Sequence, residues 1–174
     1  MPASWAKPRK FDRNLIVIGA GAAGLVSSYI AAMAKAKVTL IEAERMGGDC
    51  LNTGCVPSKA LLKSARVAHS ARDAARYGIG TGEISVDFPR VMQRIREVIT
   101  AIEPHDSIER YTGLGVECLT GYARFVDPWT VDVALNDGGT RRLTTRSIII
   151  AAGARPFVPP LPGPLPRRPA SPLR

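Results

Sequence analysis

The stretch LIVIGAGAAGLVSSYIAAMA, Leu15–Ala34, constrains this chain more than any other feature. Its twenty residues carry no charge, and Arg13 and Lys35 flank them, which would suit a membrane-spanning helix. The internal order argues for something else. Large aliphatics, some β-branched, come first; three glycines follow; then the run turns alanine-rich with two serines. That order predicts a buried strand over about Leu15–Ile18, a tight turn, and a helix over about Ala22–Lys35. A second apolar strand, KVTLIEAE from Lys37, completes the βαβ unit of a parallel sheet.

Gly19, Gly21 and Gly24 have the G-x-G-x-x-G spacing, and Glu42 closes the next strand. The spacing alone is weak, because glycine is common in turns. Between a strand and a helix, with an acid at the end of the following strand, it meets the context a dinucleotide site requires. Gly19 permits the turn, Gly21 lets a pyrophosphate approach the backbone, and Gly24 lets helix and strand pack closely. The helix N-terminus favours the phosphate charge, and Glu42 can accept from ribose hydroxyls.

Next comes GGDCLNTGCVPSK, residues 47 to 59, predicted as coil up to Pro57. Cys50 and Cys55 are separated by four residues including Gly54, enough to bring Cα atoms to the about 5–6 Å a disulfide needs. Cys55 lies just ahead of a proline-started helix, whose positive end favours a thiolate. A zinc site is the rival, but the remaining ligands, Cys118, His69 and His105, stand singly and far apart, so no metal is expected. A structural disulfide is disfavoured because three cysteines without an export signal point to a reducing cytoplasm. The start, MPASWAKPRKFDRN, has no apolar core of a signal peptide. Lys59 falls one helical turn after Cys55. Cys118 is expected in the core, and His69 and His105 at structural or surface positions.

Further helices are expected over Pro57–Arg76, Phe88–Ile102 and about His105–Tyr111. Alternation then replaces helical spacing: VECLTGYARFVD, TVDVAL and RRLTT, with the turn NDGG, predict an antiparallel meander, and SIIIAAGARP a buried strand ending in a glycine turn. Residues 1–13 form a basic N-terminal tail, 14–163 the folded domain, and 164–174 a Pro/Arg-rich tail expected to be disordered. The net charge of +9 is scattered and scarcely interleaved with aromatics, so neither nucleic acid nor membrane is an expected partner.

In order, GAGAAG, Glu42, GGDCLNTGCVPSK, GYARF and IIIAAGARP resemble the FAD-dependent pyridine nucleotide disulfide oxidoreductases, over about Asp12 to Gly163. The resemblance implies an α/β, Rossmann-like FAD-binding domain: a parallel sheet with helices on one side and the antiparallel meander on the other. It implies that Gly19, Gly21, Ala23, Gly24 and Gly48 cradle FAD, that Glu42 binds its ribose, and that Lys59 lies beside the flavin. Ala123 would meet the adenine through its backbone, and Gly153 would turn the chain past the cofactor. NADH or NADPH would reduce the flavin, and electrons would pass to a Cys50–Cys55 disulfide. Cys55 would face the flavin, and Cys50 would be the exposed thiol that attacks a small-molecule disulfide, a lipoyl group or Hg(II).

Two departures accompany the resemblance. Asp49 stands where the family commonly has threonine, bringing a carboxylate toward the pyrophosphate. The family also continues into an NAD(P) domain and a dimerisation domain that makes a homodimer and supplies a His–Glu pair. A chain ending at Arg174 is therefore expected to be an incomplete, truncated or frame-shifted product, the alternative function being a non-catalytic flavin- or thiol-binding remnant.

Overall fold

The computed structural model describes residues 5–155, 157 and 159. The tail expected over 164–174 lies outside them. The chain divides into two compact units: the described residues up to Gly48 together with those from His105 on, and Asp49–Pro104.

The first unit holds every strand. Four run parallel in the order β5 (Thr140–Ile150), β1 (Arg13–Ile18), β2 (Val38–Glu42), β3 (Val116–Asp127). β4 (Thr130–Leu135) pairs antiparallel with both β3 and β5, which closes the five strands into a ring. Closure is possible because β3 and β5 are long enough to serve two sheets. Val116–Thr120 pairs with β2 before Gly121 begins the pairing with β4. Thr140–Thr144 pairs with β4 before Thr145 begins the pairing with β1. RRLTT and SIIIAAG, expected as two strands, are thus one. The sheet hydrogen bonds continue while the partner changes, so the side-chain alternation resets in mid-strand.

Alternation along the parallel strands separates two cores. Val17, Val38, Leu40 and Val116 pack with Leu25 of α1 (Ala22–Met33) and Tyr111 of α5 (Ile108–Gly113). Ile16 and Ile41 point the other way, onto Val131, Val133 and Leu143 of the meander. The sheet therefore has helices on one side and the meander on the other, as expected. At about 25 cal/mol per Å² of apolar surface, these side chains supply the main stabilisation of the unit. The expected turn NDGG is present, with Gly138 and Gly139 both at positive φ and the Gly138 amide donating to the Leu135 carbonyl.

The second unit is helical. α2 (Gly48–Asn52) and α3 (Cys55–Arg72) replace the expected coil around the cysteines, and a 3-10 turn, Ala74–Tyr77, follows. Glycines flank these helices instead of interrupting them. The Gly54 amide donates to the Asp49 carbonyl at 2.6 Å, and a Cβ on Gly54 would stand 2.9 Å from that oxygen. Only glycine lets the chain reverse so tightly between two helices. Pro57 sits in the first turn of α3, where a missing amide proton costs nothing. α4 (Phe88–Ile102) starts at Asp87, whose carboxylate accepts from the Arg90 amide, and buries Ile95. No helix among the described residues is long and apolar enough to cross a membrane, because the apolar run is split into β1 and α1.

Candidate functional site

Four of the predicted glycine positions converge at the carboxyl ends of β1, β2 and β5. That edge is where open α/β sheets bind ligands. Gly19 takes φ +101°, and any Cβ on it would overlap the Ala151 carbonyl at the end of β5. A Cβ on Gly24 would overlap the Gly19 carbonyl, so α1 can pack on β1 only without one. Gly48, at φ +52°, would place a Cβ 2.7 Å from the Gly21 Cα. These three glycines are required by the chain itself.

Gly21 differs. It is the N-cap of α1, with no side-chain cap and ordinary extended backbone (φ −77°, ψ −175°). A Cβ there would meet only the Gly48 Cα, at 3.9 Å, an ordinary contact. Nothing in the protein forbids a side chain at Gly21, so the space beside the helix's first amides is open to a group from outside. A phosphate suits that environment, since the amides point outward and the helix dipole favours negative charge. The donor set therefore fits the pyrophosphate of a dinucleotide such as FAD.

Glu42 stands at the end of β2. Its carboxylate accepts from the Ala20 amide at 2.6 Å and from the Glu44 amide at 2.8 Å. It thereby ties the glycine turn to the following loop, with two of about four lone-pair sites in use. Ala20, fully buried, and Gly47, whose amide donates to the Ala20 carbonyl at 2.9 Å, complete this scaffold. Neither stands out in the sequence, because their roles are main-chain contacts across more than twenty residues. Ala23 is exposed on the first turn of α1, Ala123 lies on the meander half of β3 opposite Val133, and Gly153 follows β5 at φ +72°.

The second unit holds Cys50, Cys55 and Lys59. Cys50 is half-buried within α2; Cys55 is exposed at the first position of α3. Gly54, the N-cap of α3, places Cys55 at the helix start. Asp49 is exposed, and its carboxylate accepts from the Thr53 hydroxyl at 3.3 Å. Lys59 is exposed one turn along α3. Burial pushes the Cys118 thiol above its ordinary value, the state of a core thiol rather than a nucleophile. His69 and His105 are exposed, and no three His, Cys, Asp or Glu side chains group to hold a metal among the described residues.

The family model for pyridine nucleotide-disulphide oxidoreductases matches residues 13–170. The chain belongs to this family. Among its oxidoreductase relatives, it is 39% identical over 155 residues to dihydrolipoamide dehydrogenase of Chaetomium thermophilum, covering 87% of this chain and 30% of that one. It is 38% identical over 156 residues to mercuric reductase of Streptomyces lividans, covering 86% and 32%. Over 154 residues it is 38% identical to glutathione reductase of Nostoc sp., covering 88% and 32%. The chain thus spans under a third of the length of each of these relatives. The fold is also that of the Escherichia coli HOCl-induced flavoprotein disulfide reductase RclA, solved as a Cu(II) complex of a cysteine-to-serine mutant. TM-score is 0.67 and identity 27%, over 88% of this chain and 31% of that one.

Proposed function

We propose that this chain binds FAD at the glycine edge of its parallel sheet and carries Cys50 and Cys55 as a redox dithiol. It would thus be the flavin-binding portion of an enzyme moving electrons from NADH or NADPH to a disulfide, lipoyl or Hg(II) acceptor. The observation that carries this reading is Gly21: it is the one glycine of the fingerprint whose missing side chain the protein's own packing does not require. The relatives' names, dihydrolipoamide dehydrogenase, mercuric reductase and glutathione reductase, support the acceptor classes.

In this reading the first amides of α1 and the bare Gly21 hold the pyrophosphate, Gly48 keeps the opposite wall low, and Glu42 both fixes the turn and accepts from the ribose. Ala23 sits on that same first helical turn. The Ala123 backbone meets the adenine, Gly153 turns the chain past the cofactor, and Lys59 lies beside the flavin. When bound, FAD supplies two-electron transfer between a reduced nicotinamide and a disulfide. Cys50 follows Gly48 with one residue between them, which tethers the dithiol to the cradle. Cys55 then faces the flavin and Cys50 passes electrons to the acceptor, in the cytoplasm.

The test is a titration of the purified chain with FAD, read by quenching of flavin fluorescence and by flavin retained on desalting. Gly21→Ala should melt like the wild type while binding FAD about 10–100-fold more weakly, because the added methyl costs about 1–3 kcal/mol against the ligand alone. A wild-type chain that retains no flavin would sink the reading.

A further inference from the structure

The electron path above gives Cys55 and Lys59 of α3 a role, and leaves Leu62, Lys63 and Arg66 beside them without one. This 18-residue helix carries four cations, Lys59, Lys63, Arg66 and Arg72, and no carboxylate. At 100° per residue, Cys55, Lys59, Leu62, Lys63 and Arg66 fall within an arc of about 100°. Lys59, Leu62, Lys63 and Arg66 line one surface depression of about 210 Å³. Among the described residues, Lys59, Lys63 and Arg66 make no ion pair or side-chain hydrogen bond. On the neighbouring α4, by contrast, Arg90 is held by Glu97 at 2.8 Å. Leu62, 63% exposed, places an apolar surface among these uncompensated charges.

We infer that this face selects anionic disulfides as electron acceptors of the Cys50–Cys55 dithiol, an inference that rests on the redox reading above. Lys63 and Arg66 hold the acceptor's carboxylates, and Leu62 lies under its apolar body. One thiolate of the dithiol attacks a sulfur of the acceptor. An S–S bond to the protein forms, the acceptor's S–S bond breaks, one half leaves as a thiolate, and the thiol proton goes to solvent. The second protein thiolate attacks the protein sulfur of that mixed disulfide, closing Cys50–Cys55 and releasing the other half. The dithiol loses two electrons and the acceptor gains two. At 1.5 Å rise per residue the three charges stand about 6, 12 and 17 Å along the axis from Cys55. The two that hold the acceptor, Lys63 and Arg66, lie beyond the about 10 Å screening length of 0.1 M salt, so the selection is strongest at low salt and weakens as salt rises.

The experiment uses the full chain, reduced, in a Cys118→Ser background, mixed rapidly with either of two aromatic disulfides. Ellman's reagent is dianionic and dithiodipyridine is neutral. Lys63→Glu/Arg66→Glu should slow Ellman's reagent about tenfold at low salt, the lower end of electrostatic steering, and the difference should vanish at high salt. Its rate with dithiodipyridine should stay that of the parent. Arg96→Glu/Arg146→Glu removes the same net charge elsewhere and should leave both rates alone. Equal slowing with both reagents, or none with either, overturns the inference and leaves the redox reading standing. If dithiodipyridine fails to close the Cys50–Cys55 disulfide, releasing two leaving groups per dithiol, the redox reading falls and takes the inference with it.

Discussion

Gly24→Ala should destabilise the sheet-bearing unit by about 3 kcal/mol or more, although it adds a single methyl group to a residue in a helix. Alanine favours helix over glycine by about 1 kcal/mol, so propensity alone predicts a gain. Packing predicts the reverse. The new Cβ would overlap the Gly19 carbonyl, and Gly19 cannot withdraw, because its amide donates to the Ile41 carbonyl at 2.7 Å and its own Cα faces the Ala151 carbonyl. Relief requires α1 to lift off β1, which strips Leu25 from Val17, Leu40 and the rest of the helix-side core. Overpacking of this kind costs about 3 kcal/mol, and lost burial adds to it, against a total stability of about 5–15 kcal/mol. Urea unfolding followed by circular dichroism checks the result. A Gly24→Ala chain within about 1 kcal/mol of the wild type would mean that α1 and β1 tolerate separation. Gly21→Ala is the partner experiment: three residues away, the same substitution should spare the fold and weaken flavin binding about 10–100-fold.

That contrast marks how far the sequence carried. The change of period from strand to helix, punctuated by glycines, was legible because each signal is local: a β-branched run, a turn residue, an alanine-rich run. The steric roles of Gly19 and Gly24 followed from the same context. What was not legible depends on partners distant in the chain. Gly48 came with the family resemblance, and its physical reason, a left-handed backbone pressed against Gly21, appears only once the loop after β2 folds back. The helices around Cys50 and Cys55 were hidden by flanking glycines, which suggest coil until the Gly54 amide is seen closing onto Asp49. β5 divides in the sequence because its alternation resets where it changes partners. Arg13 is one more basic residue near a basic N-terminus in the sequence, yet it opens β1, and its side chain is only 10% exposed.

Arg13 is buried because it has a counter-charge 104 residues away, and removing that charge should have the second-largest effect. Glu117 Oε2 accepts from Arg13 at 2.6 Å and from the Thr39 hydroxyl at 2.6 Å, and Oε1 accepts from Arg141 at 2.7 Å. Thr39 in turn accepts from Arg13 Nε at 2.6 Å, so strands β1, β2, β3 and β5 are joined by one carboxylate. Burial alone would raise the Glu117 pKa. The hydrogen bonds from Thr39, Arg13 and Arg141, with the charge of Arg13, outweigh it and bring the group from 4.5 down to about 2. A depressed carboxylate stabilises the fold fully above its unfolded value of 4.5, and that contribution is lost as pH falls from 4.5 toward 2. Glu117→Gln should remove it at neutral pH as well. The glutamine keeps the shape but leaves the Arg13 guanidinium buried without a counter-charge. Breaking a fully buried pair costs about 3–5 kcal/mol. Because 32% of the Glu117 side chain still meets water, screening reduces the expected loss to about 2 kcal/mol. Unfolding free energies measured in urea from pH 7 to pH 2 should therefore converge: the wild type falls toward the variant between 4.5 and 2, and the gap at neutral pH closes in acid. A gap that stays constant across that range would mean that the charge of Glu117 contributes nothing, and that its hydrogen bonds alone hold the four strands.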